Sequence, residues 1–484
     1  MMTRRSLLLS GLVLALAVTC VRLVPHGLAA QQAELASQQG NPPATLNEIA
    51  ERYVKLVLAV GEHDPLYVDA YSGPEAWRIK AKEERKPLEA IEREATVLLA
   101  ELQKLEVSGR EQFVRPRRTF LIKQLESLAA RTRTLRGTRY SFDEESMALY
   151  GIAAPPFNEK NIKAILARLD SLLPSGVGSL VDRLERYQKD FVIPKDKVAT
   201  VFAATIDEAR RRTRRYIALP ENESVAIECV TNKPWVAYNW YKGDCHSVIQ
   251  LNTDLSHDIY SLVHLACHEG YPGHHVQNVI FEQRLVKERG WVEFIISPLF
   301  SRLSPMIEGS AEFGAEVVFP GGERLDFERS VLYPLAGLDA AKAASYDAIM
   351  TLVGQLGAAQ NEAGRRYLNG RLSAEDAAQF LHAYALMPLG RARKRVAFMD
   401  QYGNYFVNLV VGYDLVKNYI ERRGGTQDHP KKCWEEYAAL ISEPRVLSEV
   451  KQTRSRGQLR SLVAIFSARF QRRRMPWNTG CWGR

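Results

Sequence analysis

Between Leu46 and Ala218 the apolar residues recur every three or four positions, as at Ile91, Ala95, Leu98, Leu99 and Leu102, with charged residues between them. That period lines one apolar stripe along each of a series of segments, so it predicts amphipathic helices and almost no strand. Pro155 and Pro156, then Pro174 to Gly178, break the pattern and mark connections. The pattern changes between Trp235 and Asn252. Val236, Tyr238, Trp240, Tyr241, Val248, Ile249 and Leu251 bring aromatic and β-branched residues, and the alternation Ile249-Gln250-Leu251-Asn252 predicts one or two short strands. Helical periodicity then resumes, with Asp254 or Ser256 able to cap a helix that starts near His257 and buries Ile259, Leu262, Val263 and Ala266. From Leu303 to Ile465 the chain is again mostly helical, with Pro320-Gly321-Gly322 and Gly424-Gly425 as turns and no internal repeat. The expected class is mainly α, with a few short strands.

The N-terminus departs from this pattern. Arg4 and Arg5 precede an apolar run from Leu7 to about Val21, and the small residues Gly27, Ala29 and Ala30 follow, which is the three-part form of a secretory signal. We read residues 1–30 as a signal and expect export to the periplasm or beyond the cell. Thr3-Arg4-Arg5-Ser6-Leu7-Leu8 also has the form of a twin-arginine signal, though paired arginines precede ordinary signals too. Thr19 stands where a lipidated Cys20 would want a small Ala or Gly, and an uncleaved anchor is the remaining alternative. Residues 31–45 read as a flexible leader, 46–218 as an N-terminal helical region, 219–450 as a catalytic region, and 451–484 as a basic tail of no assigned role.

Composition excludes several classes. A hydrophobic share of 46% and a charged share of 25% are those of a water-soluble globular chain, and no segment after the signal is apolar for long enough to cross a bilayer. The net charge of +9 gathers in clusters such as Arg210 to Arg215 and Arg469 to Arg474, which read as solvated faces. No nucleic-acid-binding motif accompanies them, so no nucleic-acid partner is expected. Once Cys20 leaves with the signal, Cys229, Cys245, Cys267, Cys433 and Cys481 remain, an odd set without a CxxC pair. Cys229 and Cys245 are read either as a pair or as two free thiols, and Cys267 as a core residue.

The chemistry concentrates in one short run. Four of the ten histidines lie between His264 and His275, in the segment His268-Glu269-Gly270-Tyr271-Pro272-Gly273-His274-His275 and the turn of helix before it. On a regular helix His275 would stand about 10 Å along the axis from His268, too far to share an ion whose bonds are about 2.0–2.1 Å. Pro272 and Gly273 supply the break that turns the second pair of histidines back toward His268. His274 is the favoured second ligand, with His275 as the alternative, a substrate contact or a residue that orients a neighbour. A third ligand is expected from Glu308-Gly-Ser-Ala-Glu312-Phe-Gly-Ala-Glu316, whose carboxylates recur at four. Glu308 is read as the ligand and Glu312 as the acceptor that fixes a ligand histidine. Glu269, adjacent to a ligand but on another side of the ion, suits a general base acting on water activated by zinc. Tyr384, Arg391, Arg393 and Tyr402 are candidates for a proton donor or an oxyanion stabiliser. Trp235, Tyr238, Trp240 and Tyr241 are read as core, with the lining of a substrate site as the alternative.

The run His-Glu-Gly-Tyr-Pro-Gly-His-His-Val-Gln, with the later Glu-Gly-x-Ala-x-Phe-x-x-Glu, closely resembles the bacterial family known as domain of unknown function 885, over roughly Leu46 to Glu449. That family looks similar to the gluzincin zinc metallopeptidases. The resemblance implies a large helical zinc-peptidase-like fold with the strands near the active site. It also implies Zn2+ held by His268, His274 or His275, and Glu308, with Glu269 catalytic. Ser310 replaces a bulky residue of the family pattern, which implies a wider pocket. Three functions follow: a zinc peptidase, a metal-dependent amidase or esterase of small non-peptide substrates, and a silent exported binding protein. The presence of Glu269 speaks against the last.

Overall fold

Thr45, the first described residue, starts a helix with a capping box: its hydroxyl accepts from the Glu48 N–H and its own N–H donates to the Glu48 carboxylate. The computed structural model describes residues 45–105, 113–233 and 235–443. The signal, residues 31–44 of the leader and the basic tail lie outside the described residues, as do Cys20 and Cys481. From Thr45 onward the described residues form one compact unit.

The N-terminal helices follow the apolar period. Helix α1 (Leu46–Gly61) buries Ile49, Tyr53, Val57 and Val60. Helix α2 (Leu88–Lys104) buries Ile91, Ala95, Leu98 and Leu102 completely, while Leu99 is half-buried at the edge of the stripe. Each large aliphatic side chain so buried stabilises the packing against α1 and α3 (Val114–Leu135) by roughly 1.5–3 kcal/mol. The chain is mainly helical, and among the described residues no helix is long and apolar enough to cross a membrane.

Among the described residues, two small sheets break the helical pattern. Strand β1 (Val68–Tyr71) pairs antiparallel with β5 (Ile296–Pro298), joining parts of the chain more than two hundred residues apart. The sequence pattern gave no sign of β1, because four residues are too few to show a period of two. Helix α4 (Val198–Thr213) leads into the second sheet, made of β2 (Ser224–Val230), β3 (Ala237–Gly243) and β4 (His246–Asn252) in the order β2-β4-β3. β2 runs parallel to β4, and β3 forms an antiparallel hairpin with it. The hairpin turn places Asp244 (φ 49°) and Cys245 (φ 62°) in the left-handed region, which matches the twist of the flanking strands. Within β4, Ser247, Ile249 and Leu251 are buried, as the alternation requires. β2 went unread because it is a half-exposed edge strand with no clean alternation.

The motif helix α5 (Ile259–Glu269) starts two residues later than its pattern suggested. Asp258 is the cap, accepting from the Ser261 N–H at 3.0 Å, rather than Asp254 or Ser256. His257 is instead buried, with Nε2 against the Asn252 carbonyl at 2.8 Å. After α5 come α6 (His274–Ile280), α7 (Ser304–Val318), α8 (Leu389–Tyr402) and α9 (Val407–Arg422). α7 and α9 meet glycine to glycine: a Cβ on Gly309 would stand 2.3 Å from the backbone of Gly412, so only glycine lets these helices approach this closely. The four cysteines among the described residues are free; Cys229 is exposed, Cys245 is buried, and Cys267 packs in the core.

Candidate metal centre

The turn between α5 and α6 makes the site. α5 ends at Glu269, four residues follow, and α6 begins at His274. The Tyr271–Pro272 bond is cis, and the chain folds back so tightly that a Cβ on Gly273 would lie 1.8 Å from the His268 carbonyl oxygen. The Gly273 N–H donates to the Cys267 carbonyl at 3.0 Å. Neighbours hold the rest of the turn: Tyr437 Oη donates to the Pro272 and Ser310 carbonyls, both at 3.1 Å, and Asn239 Nδ2 donates to the Glu269 carbonyl at 2.7 Å. The Pro-Gly break thus brings His274 back beside His268, with ring centroids 4.6 Å apart at 88°.

α7 completes the set. His268 Nε2 stands 3.6 Å from Glu308 Oε2, and His274 Nε2 stands 3.9 Å from Glu308 Oε1. One ligand atom from each of His268, His274 and Glu308 falls within 4.8 Å of the others, the one such group among the described residues. Bonds of about 2.0–2.1 Å to a tetrahedral ion put donor atoms roughly 3.3–3.4 Å apart, so the three residues can share a single cation once their ligand atoms, which lie within 4.8 Å of one another, draw together. Both imidazoles present Nε2 because Nδ1 is engaged elsewhere. His268 Nδ1 faces Glu312 Oε1 at 3.4 Å, and His274 Nδ1 faces Gln277 Oε1 at 3.4 Å. Gln277 is fixed in turn by donating to Ser310 Oγ at 2.9 Å and to the Ile307 carbonyl at 3.2 Å. Glu308 Oε1 accepts from Tyr405 Oη at 2.7 Å. Such outer partners orient the donors and choose their tautomers.

The electrostatics suit a cation. Burial, then His274 and His264, holds His268 well below the usual histidine range, so it is a neutral lone-pair donor. Burial works the other way on the carboxyls: Glu269 is pushed up to about 7, with Glu308 and Asp69 adding to the rise against His274 and the Asn239 main-chain N–H. Glu312 is also raised to about 7, by the protein packed around it and then by Glu308, although 39% of its side chain still meets water. His274 moves up despite burial, because Glu308 and Glu269 face it.

His275 is not a ligand in this arrangement. It points to the far side of α6, where Nδ1 lies 2.8 Å from Ser247 Oγ and Nε2 lies 3.0 Å from Glu223 Oε2. Glu223, fully buried, also accepts from Tyr271 Oη and from Arg210 and Arg214. The Arg210 to Arg215 cluster is therefore no free solvated face: Arg210 and Arg214 neutralise a buried acid behind the site, while Arg211 and Arg212 pair with Glu208. Burial alone would raise the Glu223 carboxyl, but hydrogen bonds from His275, Tyr271 and Arg210 overturn that and hold it at about 2. A folded-state value below the unfolded one stabilises the fold above pH ~4.5, and that stability is lost as pH falls toward 2. Glu223→Gln should therefore flatten the acid limb of stability between pH 4.5 and 2 by roughly 3 kcal/mol. Urea midpoints of both proteins across that range check it, and parallel curves would contradict it.

The other candidates scatter. Glu316, two turns beyond Glu308 and rotated by roughly 80°, leaves the site and pairs with Lys417 at 2.9 Å and with Tyr413. Tyr384 lies elsewhere, donating to Glu159 at 2.9 Å and packing on Phe157 and Phe380, and Arg393 is spent on Glu375 at 2.9 Å. Arg391 and Tyr402 stand on the other flank of α8, where Tyr402 senses Asp69. Ser310 opens no pocket: it is fully buried and ties α7 to Gln277. Trp235, Tyr238 and Trp240 form a half-exposed cluster rather than core, with Trp240 37% exposed and Tyr238 donating to Asp69 of β1. Tyr405, Asn239 and Asp69 went unnoticed in the sequence. Gln277 alone had a signal there, three residues after His274 in the motif run.

No family model matches the chain, and no curated protein does. Among solved structures it is similar to a protein described as a lipoprotein from Colwellia psychrerythraea, at 12% identity and a TM-score of 0.46, covering 86% of this chain and 78% of that one. It is also similar to Pyrococcus furiosus carboxypeptidase, at 11% identity and a TM-score of 0.43, covering 83% and 93%. An M32 carboxypeptidase from Deinococcus radiodurans follows at 13% identity and a TM-score of 0.36, covering 91% and 100%. Likenesses this distant decide nothing about activity, which has to be argued from the side chains.

Proposed function

We propose that this protein is an exported zinc-dependent hydrolase that cleaves peptide bonds, of the domain of unknown function 885 family that its motif resembles. The observation that carries the reading is the convergence of His268 Nε2, His274 Nε2 and a Glu308 carboxylate oxygen, with the Glu269 carboxyl beside them. Two neutral nitrogens and one carboxylate, with a fourth position left open, are the donor set of a catalytic zinc site. A bound zinc ion supplies Lewis-acid polarisation of a carbonyl and makes water a better nucleophile near neutral pH. The chain's own residues do the rest. Glu269, near neutral in its protonation, takes a proton from the attacking water at its carboxylate and delivers it to the leaving amine. Tyr405 and Glu312 hold Glu308 and His268 in position. β3 is an edge strand beside Glu269, which supports an extended peptide as the substrate.

The test is to incubate the metal-loaded protein with a mixed peptide library and with simple esters. Peptide cleavage that disappears in Glu269→Gln is the expected result. Cleavage of esters alone, untouched by Glu269→Gln, would instead favour a non-peptide hydrolase. Metal uptake should also be coupled to protons. Below pH 7 the unloaded site keeps protons on Glu269 and Glu312, whose carboxyls sit at about 7, and on His274, which is raised. Zinc binding should therefore release more protons at pH 6 than at pH 8.5, where these groups hold fewer. Calorimetric titrations in buffers of different ionisation enthalpy measure this, and a release independent of pH would contradict it.

A further inference from the structure

The motif run holds two residues that the reading above leaves unused, Tyr271 and His275. They stand on either side of Pro272-Gly273, Tyr271 before the break and His275 in the first turn of α6. Both reach one atom. Tyr271 Oη donates to Glu223 Oε2 at 2.5 Å, and His275 Nε2 lies 3.0 Å from the same oxygen. The two rings meet edge to face, with centroids 5.0 Å apart at 64°, and all three residues are buried.

The remaining partners anchor this carboxylate to the rest of the fold. Glu223 directly precedes β2, and its Oε1 accepts from Arg210 Nε at 2.8 Å and from Arg214, both at the C-terminal end of α4. Arg210 Nη2 also donates to the Glu223 main-chain carbonyl at 2.9 Å. On the other edge of its ring, His275 Nδ1 lies 2.8 Å from Ser247 Oγ of β4. The turn is thereby tied to α4 and to the sheet, elements that carry none of the three metal ligands. A carboxylate buried with its cations often adds no more stability than an apolar core of the same volume, and what such a network offers is a fixed geometry. Here the geometry is that of the ligands. Successive residues of a helix are about 100° apart around its axis, so a His275 ring held against Glu223 turns the His274 ring by that angle away from it, toward His268 and Glu308. Tyr271 does the same for the other side of the turn, three residues beyond His268.

Resting on the metal-site reading, we propose that Glu223 is a positioning residue for the metal centre. By receiving Tyr271 and His275 on one oxygen it holds the two sides of the turn together, sets the placement of His274 relative to His268, and so sets the affinity for zinc.

The experiment measures the zinc affinity of the full chain at neutral pH, by competition with a chelating dye, for the parent, Glu223→Gln, Tyr271→Phe and Glu293→Gln, with urea midpoints on the same samples. Glu293 is the control: it is equally buried, and its carboxylate is held by Arg117 of α3 at 2.6 and 2.8 Å rather than by the motif run. We expect Glu223→Gln to weaken zinc binding about tenfold to a hundredfold, the range for partners that orient ligands from behind. Tyr271→Phe, which loses a hydroxyl and keeps its ring, should weaken binding by less, and Glu293→Gln should lose stability while keeping the parent affinity. Parent-like affinity in Glu223→Gln, or an equal loss in Glu293→Gln, would overturn the assignment. Should Glu223→Gln not fold, Tyr271→Phe decides, and unchanged affinity there overturns it. If the parent itself binds no zinc, the metal reading falls, and amide hydrogen exchange over residues 269–276 tests the positioning alone. Faster exchange in Glu223→Gln and Tyr271→Phe than in Glu293→Gln supports it, and equal exchange refutes it.

Discussion

Glu269→Gln should lower peptide hydrolysis by about 10²–10⁴-fold while leaving the bound metal as it was. Gln keeps the size and shape of the side chain and loses only the capacity to accept a proton. In the structure Glu269 is buried at the end of α5, beside the ligand cluster rather than in it. Its backbone carbonyl is held by Asn239 whatever the side chain is, so the ligands on either side need not move. Burial raises its carboxyl to about 7, where a base is half-ready to take a proton at neutral pH. A bound dication would draw that value down, so the acid limb of kcat against pH should lie below 7 in the loaded enzyme and vanish in the variant. Steady-state rates and metal content measured on one preparation decide it. Loss of metal with activity would make Glu269 a ligand, and unchanged kcat would remove it from the reaction.

Gly273→Ala is expected to be the most damaging glycine-to-alanine change among the described residues. Its Cβ would meet the His268 carbonyl oxygen at 1.8 Å and the Cys267 carbonyl oxygen at 2.5 Å, both backbone atoms that no rotamer change can move. Either the turn opens and His274 leaves His268, or the fold loses about 4 kcal/mol or more. Gly322→Ala is the control, since nothing lies within 4 Å of a Cβ there. Denaturant midpoints and bound zinc of both variants are the measurements. A stable Gly273→Ala protein that still binds zinc would show that the tight turn is not what assembles the site.

What the sequence could and could not reveal follows from where each constraint comes from. His268, Glu269 and the Pro-Gly break are legible because a proline and a glycine stop a helix by local sterics, and the histidines on either side share that turn. Glu308 is legible as the first of three acids at a period of four, but Glu316 is not distinguishable from it until Lys417 appears opposite. The choice between His274 and His275 rests on Glu223, some fifty residues earlier, which claims His275 for the reverse side. Tyr405, Asn239 and Asp69 arrive from separate elements with no local pattern, and β1, which carries Asp69, is too short to announce itself. Tyr384 and Arg393 failed as site candidates because a polar residue's place in the sequence does not say what it packs against: one donates to Glu159 and the other pairs with Glu375. The mainly helical class was readable throughout, because every long helix has to bury one stripe.

The central claim is that His268, His274 and Glu308 hold one ion together. Metal analysis of the purified full chain beside His268→Ala, His274→Ala and Glu308→Ala, each first shown by circular dichroism to be folded, tests it most directly. The prediction is about one zinc per chain in the parent and a large loss in all three variants. Equal metal in all four proteins would contradict it.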